Sequence, residues 1–296
     1  MADASGQAEI RGIDIDKLAK GFADEENVFK RFVTSTSTSA REIRWYQKTS
    51  GFLDSVDTTG ITASQIDNVS HLALPVVVEQ SWTRNTSYVR KYFVESPTLS
   101  EEDIKDSDID ILATNVRDLT RAVARRVDAR IYDIISDTQA TGSAGVETTG
   151  ATGTGWDDTT NGNPLLDIMV AKRKIRENGY NPEGAILAMD ALAHQQLLNY
   201  LITVKGSSIP QFSSEKVKSG VVMELLGVNV VVSENVVTDS VTMWIPARSG
   251  TWKTFTPITA RTIEEAGIGT KIRVWEEGEI LLTDPKSVHV TTDTTS

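Results

Sequence analysis

The chain has 296 residues, enough for one large domain or two modest ones. Its net charge of -11 opposes nucleic-acid phosphates and argues against sequence-specific DNA binding, and the absence of cysteine excludes disulfides and thiolate metal sites. No stretch approaches the roughly 20 apolar residues of a membrane-spanning helix, and the polar, acidic start lacks the apolar core of a signal peptide. We therefore expect a soluble protein that is not secreted.

Residues 1–40 are predicted to form an extended N-terminal arm. Apolar side chains recur in its first 33 residues, and the polar run Thr34–Ser39, in which Thr and Ser alternate, follows them. Such a run has no apolar face to bury, so it predicts a linker. We expect the arm to pack on a neighbouring molecule, and the alternative is a frayed terminus.

Two segments rich in β-forming side chains come next, at residues 41–48 and 76–94, with a wide loop between them. Charged residues are interleaved with the aromatic and β-branched ones, so neither segment has the clean alternation of a core strand. They predict a long two-stranded ribbon with polar faces. Because an isolated two-stranded ribbon is barely stable, we expect it to lie on another copy of the chain.

The strongest helical signal lies within residues 98–137. The tetrapeptide Thr98-Leu99-Ser100-Glu101 has the form of a capping box and predicts the start of a short helix. A longer helix of about 43 Å is predicted from Ile109 to Asp137, because apolar side chains recur there at steps of three and four. The stripe consists of Leu112, Val116, Leu119, Val123, Val127, Ile131 and Ile134.

The opposite face of this helix carries Arg117, Arg121 and Arg125, one turn apart. Aspartates lie nearby, so one interpretation is a solvated face with ion pairs within the helix. The other interpretation is that some of these arginines reach acidic groups on adjacent copies of the chain.

A segment in which more than half of the residues are Gly or Thr, residues 141–164, predicts an exposed loop or a domain boundary. Beyond it the pattern becomes α/β. Asn163 and Asp190 have the positions of helix N-caps, before helices predicted at 164–177 and 191–202, and residues 185–189 predict a buried strand. Further short strands are predicted at 221–226, 228–232, 241–245, 253–255, 258–263, 271–275 and 280–282.

No catalytic, cofactor or metal site is predicted. The three histidines, His71, His194 and His289, are far apart and lack the spacing of metal ligands. The glycine-rich run Gly150–Gly155 has no P-loop lysine, so it predicts a flexible loop. The chain has neither a cysteine nor a Gly-x-Ser-x-Gly nucleophile motif.

Paired carboxylates occur at Glu264-Glu265 and at Glu276-Glu277, with Glu279 close by. They lie in or beside segments rich in Lys and Arg, which favours a charged rim that is solvated or lies between subunits. The rival is a glycosidase-type acid/base pair, but only Trp252 and Trp275 are near in sequence to line a sugar cleft. The sequence thus favours an assembly protein over an enzyme.

The order of these parts resembles the major capsid protein of tailed phages, whose fold is shared with encapsulin compartments. The resemblance lies in the order and spacing of segments over roughly residues 28–292, and no single motif is diagnostic. The segments that carry it are Asp108–Leu112 continuing through Arg125–Ile131, the helix that ends at Asn178-Gly179, the run Glu224–Asn235 and the closing strands 271–282.

The resemblance implies an α+β tailed-phage major capsid fold. Its parts would be an N-terminal arm, an extended β-hairpin loop, a peripheral domain with a spine helix, an inserted apical domain and the return strands of the peripheral domain. In this chain they correspond to residues 1–40, 41–94, 95–140, 141–254 and 255–296. The implied function is self-assembly of hexamers and pentamers into an icosahedral shell around a double-stranded DNA genome, bound without sequence specificity.

Candidate contacts between subunits are the exposed aromatic and basic side chains of the ribbon and the helix. They are Arg44, Trp45, Trp82, Arg84, Arg90, Tyr92, Arg117 and Arg121. Because Met1 lies close to the arm, we expect scaffolding to come from a separate protein, with a portal as a further partner. Lys48 and Lys91 could supply the amine of a covalent cross-link, but no asparagine follows Asn235, so we expect none.

The implied location is the capsid of the virion, assembled in the host cytoplasm. Two alternatives stay open. One is the shell of an encapsulin-like compartment, and the other is a soluble hydrolase, which would be a monomer or a small oligomer.

Overall fold

The computed structural model describes residues 19–20, 23, 27–48, 71–72, 82–100, 111–137, 145–158, 160–203, 224–265 and 267–295. The helices are α1 (Ile111–Ile135), α2 (Pro164–Glu177) and α3 (Ala191–Thr203), and a short 3-10 helix spans Lys30–Phe32. Among these described elements, no helix has both the length and the apolar character that crossing a bilayer requires.

The strands fall into two sheets and a separate ribbon. Their bounds are β1 (Thr34–Ser37), β2 (Glu42–Lys48), β3 (Trp82–Tyr88), β4 (Arg90–Glu95), β5 (Leu99–Ser100), β6 (Glu147–Gly150), β7 (Ile186–Met189), β8 (Glu224–Leu225), β9 (Val228–Val232), β10 (Ser240–Trp244), β11 (Gly250–Glu265), β12 (Gly269–Leu282) and β13 (Val288–Thr292). The first sheet has the order β1-β11-β12-β4, with β5 also on β12. The second has the order β6-β13-β10-β7-β9-β8, and β2 pairs with β3 alone.

Helix α1 joins the two sheets through the predicted apolar stripe. Val116, Val123, Val127 and Ile131 are buried in one cluster, together with side chains from both sheets. Burying each such side chain stabilises the fold by roughly 1.5–3 kcal/mol. The predicted long helix is therefore confirmed over Ile111–Ile135. It ends two residues before the predicted Asp137, and residues 109–110 lie outside the described part of the chain.

Helices α2 and α3 cover the opposite face of the second sheet. Side chains alternate along β7, so that Ile186 and Ala188 face the cluster around α1 and Leu187 and Met189 face α2 and α3. This double burial explains the unbroken apolar run of the strand. The predicted caps are also confirmed, since the Asn163 side chain accepts from the Leu166 amide and Asp190 accepts from the Ala193 amide at 2.7 Å.

Four of the predicted short strands are halves of two long ones. Strands β11 and β12 form one long antiparallel hairpin, with register shifts between Thr254 and Thr259. Pro257 lies inside this interval and cannot donate to the ladder, and an irregularity accommodates such a residue. The sequence pattern predicted two separate strands on either side of Pro257, whereas the structure has one strand that continues through it.

The linker prediction for Thr34–Ser39 is wrong for its first four residues. They form β1, which runs parallel to β11 with Thr34 opposite Thr251 and Ser37 opposite Thr254. Threonine suits an exposed edge strand, and the hydrogen-bond partners come from a strand more than 200 residues away. The short helix predicted from Leu99-Ser100 is also wrong there, because these residues form β5; Glu101 lies outside the described residues.

The prediction of an exposed loop for the Gly/Thr segment 141–164 is wrong for residues 147–150, whereas the described residues 151–158 and 160–163 have no helix or strand. Residues 147–150 form β6, parallel to β13, a strand that the sequence pattern did not indicate. The chain after β6 is fixed by the Ala151 amide, which donates to the Thr292 carbonyl, and by Trp156, whose indole donates to Asp167 at 2.7 Å.

Candidate assembly surface on the ribbon and the junction beneath it

The described part of the ribbon has two chemically different faces. Side chains alternate along β2 and β3, and the outward ones include Tyr46, Trp82 and Tyr88, which are 61%, 56% and 66% exposed. Arg44 and Arg84 lie on the same face. Exposed aromatic side chains beside guanidinium groups are typical of protein interfaces.

The inward face rests on the chain itself. Gln47 is buried, and its side chain donates to the Leu282 carbonyl of β12 at 3.3 Å and accepts from Asn85 at 3.3 Å. Trp45 packs against the core around α1, and its indole donates to Ser87 Oγ at 3.1 Å. Residues 42–48 and 82–88 thus have contacts within their own chain, and the expectation that the ribbon lies on another copy stays a prediction.

A cleft of about 580 Å³ lies between this inward face and the body of the chain. Its far wall consists of Ile134 in the last turn of α1, of Asp137 just after that helix, and of Ile280 and Leu282 on β12. The ribbon thus contacts the body through Trp45 and Gln47, and the cleft lies beside these contacts.

The second predicted segment of the ribbon is shorter than residues 76–94. Residues 76–81 lie outside the described part of the chain, and β3 ends at Tyr88. Strand β4 then leaves the ribbon and pairs with β12, placing Lys91 opposite Glu277. The base of the ribbon is consequently joined directly to the first sheet.

Three buried glutamates of β12 lie at this junction. Glu276, Glu277 and Glu279 are only 1%, 5% and 3% exposed, so the prediction of a solvated rim is wrong for them. Cations from three other parts of the chain compensate their charge. The ion pairs are Lys30 with Glu276, Arg41 and Lys91 with Glu277 at 3.3 and 3.7 Å, and Arg90 and Arg130 with Glu279 at 2.9 and 3.0 Å.

These ion pairs connect the arm, the ribbon base and α1 to a single strand. Burial lowers the pKa of Arg130, but its pairs with Glu279 and Asp133 outweigh that effect and the pKa is raised overall. Burial, followed by the charge of Glu279, raises the pKa of the adjacent Tyr92 to about 12. The junction therefore keeps its carboxylates in salt bridges, an arrangement unlike an acid/base pair facing a substrate cleft.

Gly278 allows this part of β12 to pass under an indole ring. A Cβ at this position would lie 2.4 Å from Trp252 Cζ2 and 2.9 Å from the Lys253 carbonyl oxygen. Only glycine fits such an approach without displacing the fully buried Trp252.

Asp128 of α1 is a second anchor. The sequence pattern grouped it with Asp118 and Asp133 on a solvated face of the helix, which is wrong for this buried residue. Its buried carboxylate accepts from the backbone amides of Val28, Phe29 at 3.3 Å and Lys30 at 3.1 Å. Burial raises the pKa of Asp128, and the three backbone hydrogen bonds oppose that rise. A single aspartate within the apolar stripe, beside Val127, is the only sequence signal that could have revealed it.

The eight predicted contact residues do not come together. Arg44, Trp82 and Arg84 lie on the outward face of the ribbon, whereas Trp45 and Tyr92 pack against the core of the same chain. The other three are Arg90, paired with Glu279, and Arg117 and Arg121, which lie on α1.

In the part of the chain that the structure describes, no group of three or more His, Asp or Glu side chains has an arrangement that could hold a metal ion. His289 is buried on β13, with Nε2 at 3.3 Å from Thr149 Oγ1. Burial lowers its pKa to about 4. This histidine is a buried neutral side chain within a sheet.

Solved capsid structures share this architecture. The capsid of the cyanophage P-SCSP1u matches with a TM-score of 0.67 and 10% identity, covering 90% of this chain and 88% of that one. The Mycobacterium phage Che8 structure matches with a TM-score of 0.63 and 16% identity, covering 91% and 92%. A virus-like particle from Pyrococcus furiosus matches with a TM-score of 0.63 and 10% identity, covering 94% and 98%.

At such low identity these likenesses establish the fold, and the predicted α+β phage capsid fold is confirmed. A search of curated proteins finds no match. The family model described as phage capsid protein matches residues 98–290. Because this match covers more than half of the 296 residues, the chain belongs to the phage capsid protein family.

Proposed function

We propose that this chain is the major capsid protein of a tailed virus and that its copies assemble by themselves into an icosahedral shell around a double-stranded DNA genome. The observation that carries the proposal is the outward face of the ribbon, an exposed aromatic and basic surface on a chain of the capsid family. The role is structural and not enzymatic, in keeping with glutamates that are engaged in salt bridges.

The two faces of the ribbon have different roles in this proposal. The inward face, through Gln47 and Trp45, sets the direction in which the ribbon leaves the body. The outward face then contacts a neighbouring copy, where burying Tyr46 or Trp82 would contribute roughly 1.5–3 kcal/mol each. Each contact can be weak, because a closed shell repeats it many times.

Charge favours another copy of the chain as the partner of this face. Arg44 and Arg84 give the outward face a positive excess over Glu42, whereas the whole chain carries -11. Complementary charges of this kind contribute more to register and specificity than to affinity.

The remaining parts of the assembly follow from the same proposal. Apical domains, within residues 141–254, would meet around the axes of hexamers and pentamers. A separate scaffolding protein and a portal would act as partners during assembly in the host cytoplasm, and maturation would reorient subunits as rigid bodies. The finished location would be the capsid of the virion.

The different roles of the outward and inward faces can be tested with two matched variants. Expressed alone, the wild-type chain should form particles visible by electron microscopy and by size-exclusion chromatography. The double variant Tyr46→Ala/Trp82→Ala should remain folded, with an unchanged circular dichroism spectrum, and should fail to form particles. Trp45→Ala should instead lower the thermal unfolding temperature of the subunit, because that indole packs inward.

Normal particles from Tyr46→Ala/Trp82→Ala would show that the outward face is not the contact between copies. A wild-type chain that stays monomeric under all assembly conditions would contradict the shell function itself.

A compartment shell is the second candidate, because the fold is shared with a virus-like particle from Pyrococcus furiosus and a particle that only resembles a virus need not enclose a genome. The two candidates differ in what the particle contains. Nuclease-protected DNA in particles from the native source supports the virus, and an enclosed protein cargo supports the compartment.

A further inference from the structure

The arm is bound to a turn at which the chain crosses from the second sheet to the first. Strand β10 of the second sheet and β11 of the first are connected by this turn, residues 245–249. The carbonyl of Phe32 accepts from the Ala247 amide at 2.8 Å, and the Thr34 hydroxyl donates to the Ala247 carbonyl at 2.7 Å. Both backbone polar groups of Ala247 are therefore bound by the arm.

Ala247 has a backbone conformation that alanine rarely adopts. Its φ is 59°, in the left-handed region, where the Cβ of an L-residue lies too close to a carbonyl oxygen. Glycine would carry no such penalty, yet the sequence has alanine at this position. A strained conformation of this kind persists only where the surrounding structure fixes it. The two hydrogen bonds from the arm supply such a constraint.

The arm is itself held on both sides of its contact with the turn. On one side, the Asp128 carboxylate of α1 accepts from the backbone amides of residues 28–30. The ring of Phe29 lies between those of Tyr132 on α1 and Trp244 on β10, with centroids 5.6 Å from each. On the other side, β1 pairs with β11. The arm thus contacts α1, the second sheet, the turn and the first sheet in succession.

A second crossing between the sheets is bound to the same turn. Residues 283–287 lead from β12 back to β13, and the Ser249 carbonyl accepts from the Thr283 amide at 3.0 Å. The hydroxyl oxygens of Ser249 and Ser287 are 2.7 Å apart, and both residues are fully buried. A change in the conformation of the turn would therefore reach both crossings.

We propose that residues 28–34 act as a strap that sets the angle between the two sheets by holding Ala247 in its strained conformation. When the strap is displaced, Ala247 relaxes to a negative φ and the turn changes direction. The strands on either side of the turn belong to different sheets, so the sheets then reorient about it, as domains do about a hinge.

Helix α1 does not replace the strap, although it also packs on both sheets. Its contacts with them are mainly apolar, and packed helices permit small sliding movements. The hydrogen bonds at the turn fix a direction, which apolar contacts do less strictly. A partner that pulls the arm would thereby change the shape of the subunit.

The test measures the distance between two spin labels by pulsed electron paramagnetic resonance. The chain has no cysteine, so Arg173→Cys on α2 and Arg261→Cys on β11 introduce the only two thiols. Both positions are exposed, and α2 packs on the second sheet whereas β11 belongs to the first. Labelled full-length chains are diluted into unlabelled ones, so that only distances within one chain are measured, whether or not particles form.

The strap variant is Thr34→Val/Asp128→Asn, which removes a hydroxyl donor and the anchoring charge with little change in volume. We expect one narrow distance distribution in the wild type and a displaced one in the strap variant. Adding Ala247→Gly to the strap variant should return the mean distance toward the wild-type value, because glycine keeps a positive φ without strain.

The matched control is Leu197→Ala on α3, which destabilises the core between α2, α3 and the second sheet. It should keep the wild-type distance, since none of the described arm residues belongs to that core. If the double strap variant does not fold, Thr34→Val alone should displace the same distribution by a smaller amount.

A wild-type distance in every folded strap variant would overturn the proposal, and so would an equal displacement in the Leu197→Ala control. A displacement that Ala247→Gly does not reverse would also contradict it, because strain at Ala247 would then not drive the movement.

Discussion

The core between the second sheet and helices α2 and α3 and the junction beneath the ribbon are held together by different forces. In that core, Leu187, Met189 and Leu197 pack against apolar neighbours. At the junction, Glu276 and Glu279 are equally buried but are stabilised by cations from distant parts of the chain. Apolar packing tolerates a change of shape better than a buried charge tolerates the loss of its partner. The junction is therefore where single substitutions should act most strongly.

The largest effect is expected from Lys30→Met, which removes the cation that pairs with Glu276. The carboxylate would stay almost fully buried, at a cost of about 3–5 kcal/mol in the free energy of unfolding. Chemical denaturation of the wild type, both single variants and the double variant Lys30→Met/Glu276→Met would measure it. The double variant should regain most of the stability, because no charge is left buried.

If the free energies of unfolding lost in the two single variants simply add in the double variant, the Lys30–Glu276 pair has no coupling energy. The contrast between the junction and the core at α2 and α3 would then lose its physical basis.

A smaller effect, specific to the second sheet, is expected from acidification. The pKa of His289 falls from 6.5 to about 4 on folding, so the unfolded chain binds more protons between these values. Stability should therefore fall as the pH drops from about 6.5 to about 4, by roughly 3 kcal/mol in total. The charged side chains that act on His289 are Glu147 and Lys174, which form an ion pair with each other at 2.8 Å.

The free energy of unfolding measured from pH 7.5 to pH 4 would check this expectation, with His289→Gln as the comparison. The variant should lose much of the pH dependence that the wild type shows in this interval. An identical pH profile in both proteins would assign the acid sensitivity to other groups.

The smallest effect is expected from Gly278→Ala, which tests packing at the junction without changing its charge. The new methyl group would meet the ring of Trp252, and overpacking of this kind typically costs about 1–3 kcal/mol. Thermal unfolding and tryptophan fluorescence would measure the loss of stability and the displacement of the ring. Wild-type stability in the variant would mean that the hairpin adjusts freely at this point.

The sequence predicted the elements whose signals are local. The apolar stripe of α1 and the caps Asn163 and Asp190 each lie within a few residues of the structure that they determine. These features follow from side-chain period and from hydrogen bonds to nearby amides. The family resemblance depended on the order and spacing of these locally determined elements along the chain.

The sequence did not predict features whose partners are distant. The run Thr34–Ser37 is a strand only because β11 lies beside it, and Glu276 is buried only because Lys30, 246 residues earlier, reaches it. A sequence window contains neither partner, so a polar run was interpreted as a linker and a glutamate pair as a solvated rim. For the same reason the outward and inward faces of the ribbon could not be distinguished.

The attachment of the arm has a mechanical consequence. Tension applied to the chain before residue 27 reaches the three amides at Asp128 before it reaches β1. Because β1 runs parallel to β11, a pull along its axis loads the hydrogen bonds of that strand in shear, together and not one after another. The arm can thus transmit force into α1 and the first sheet without being peeled away from them.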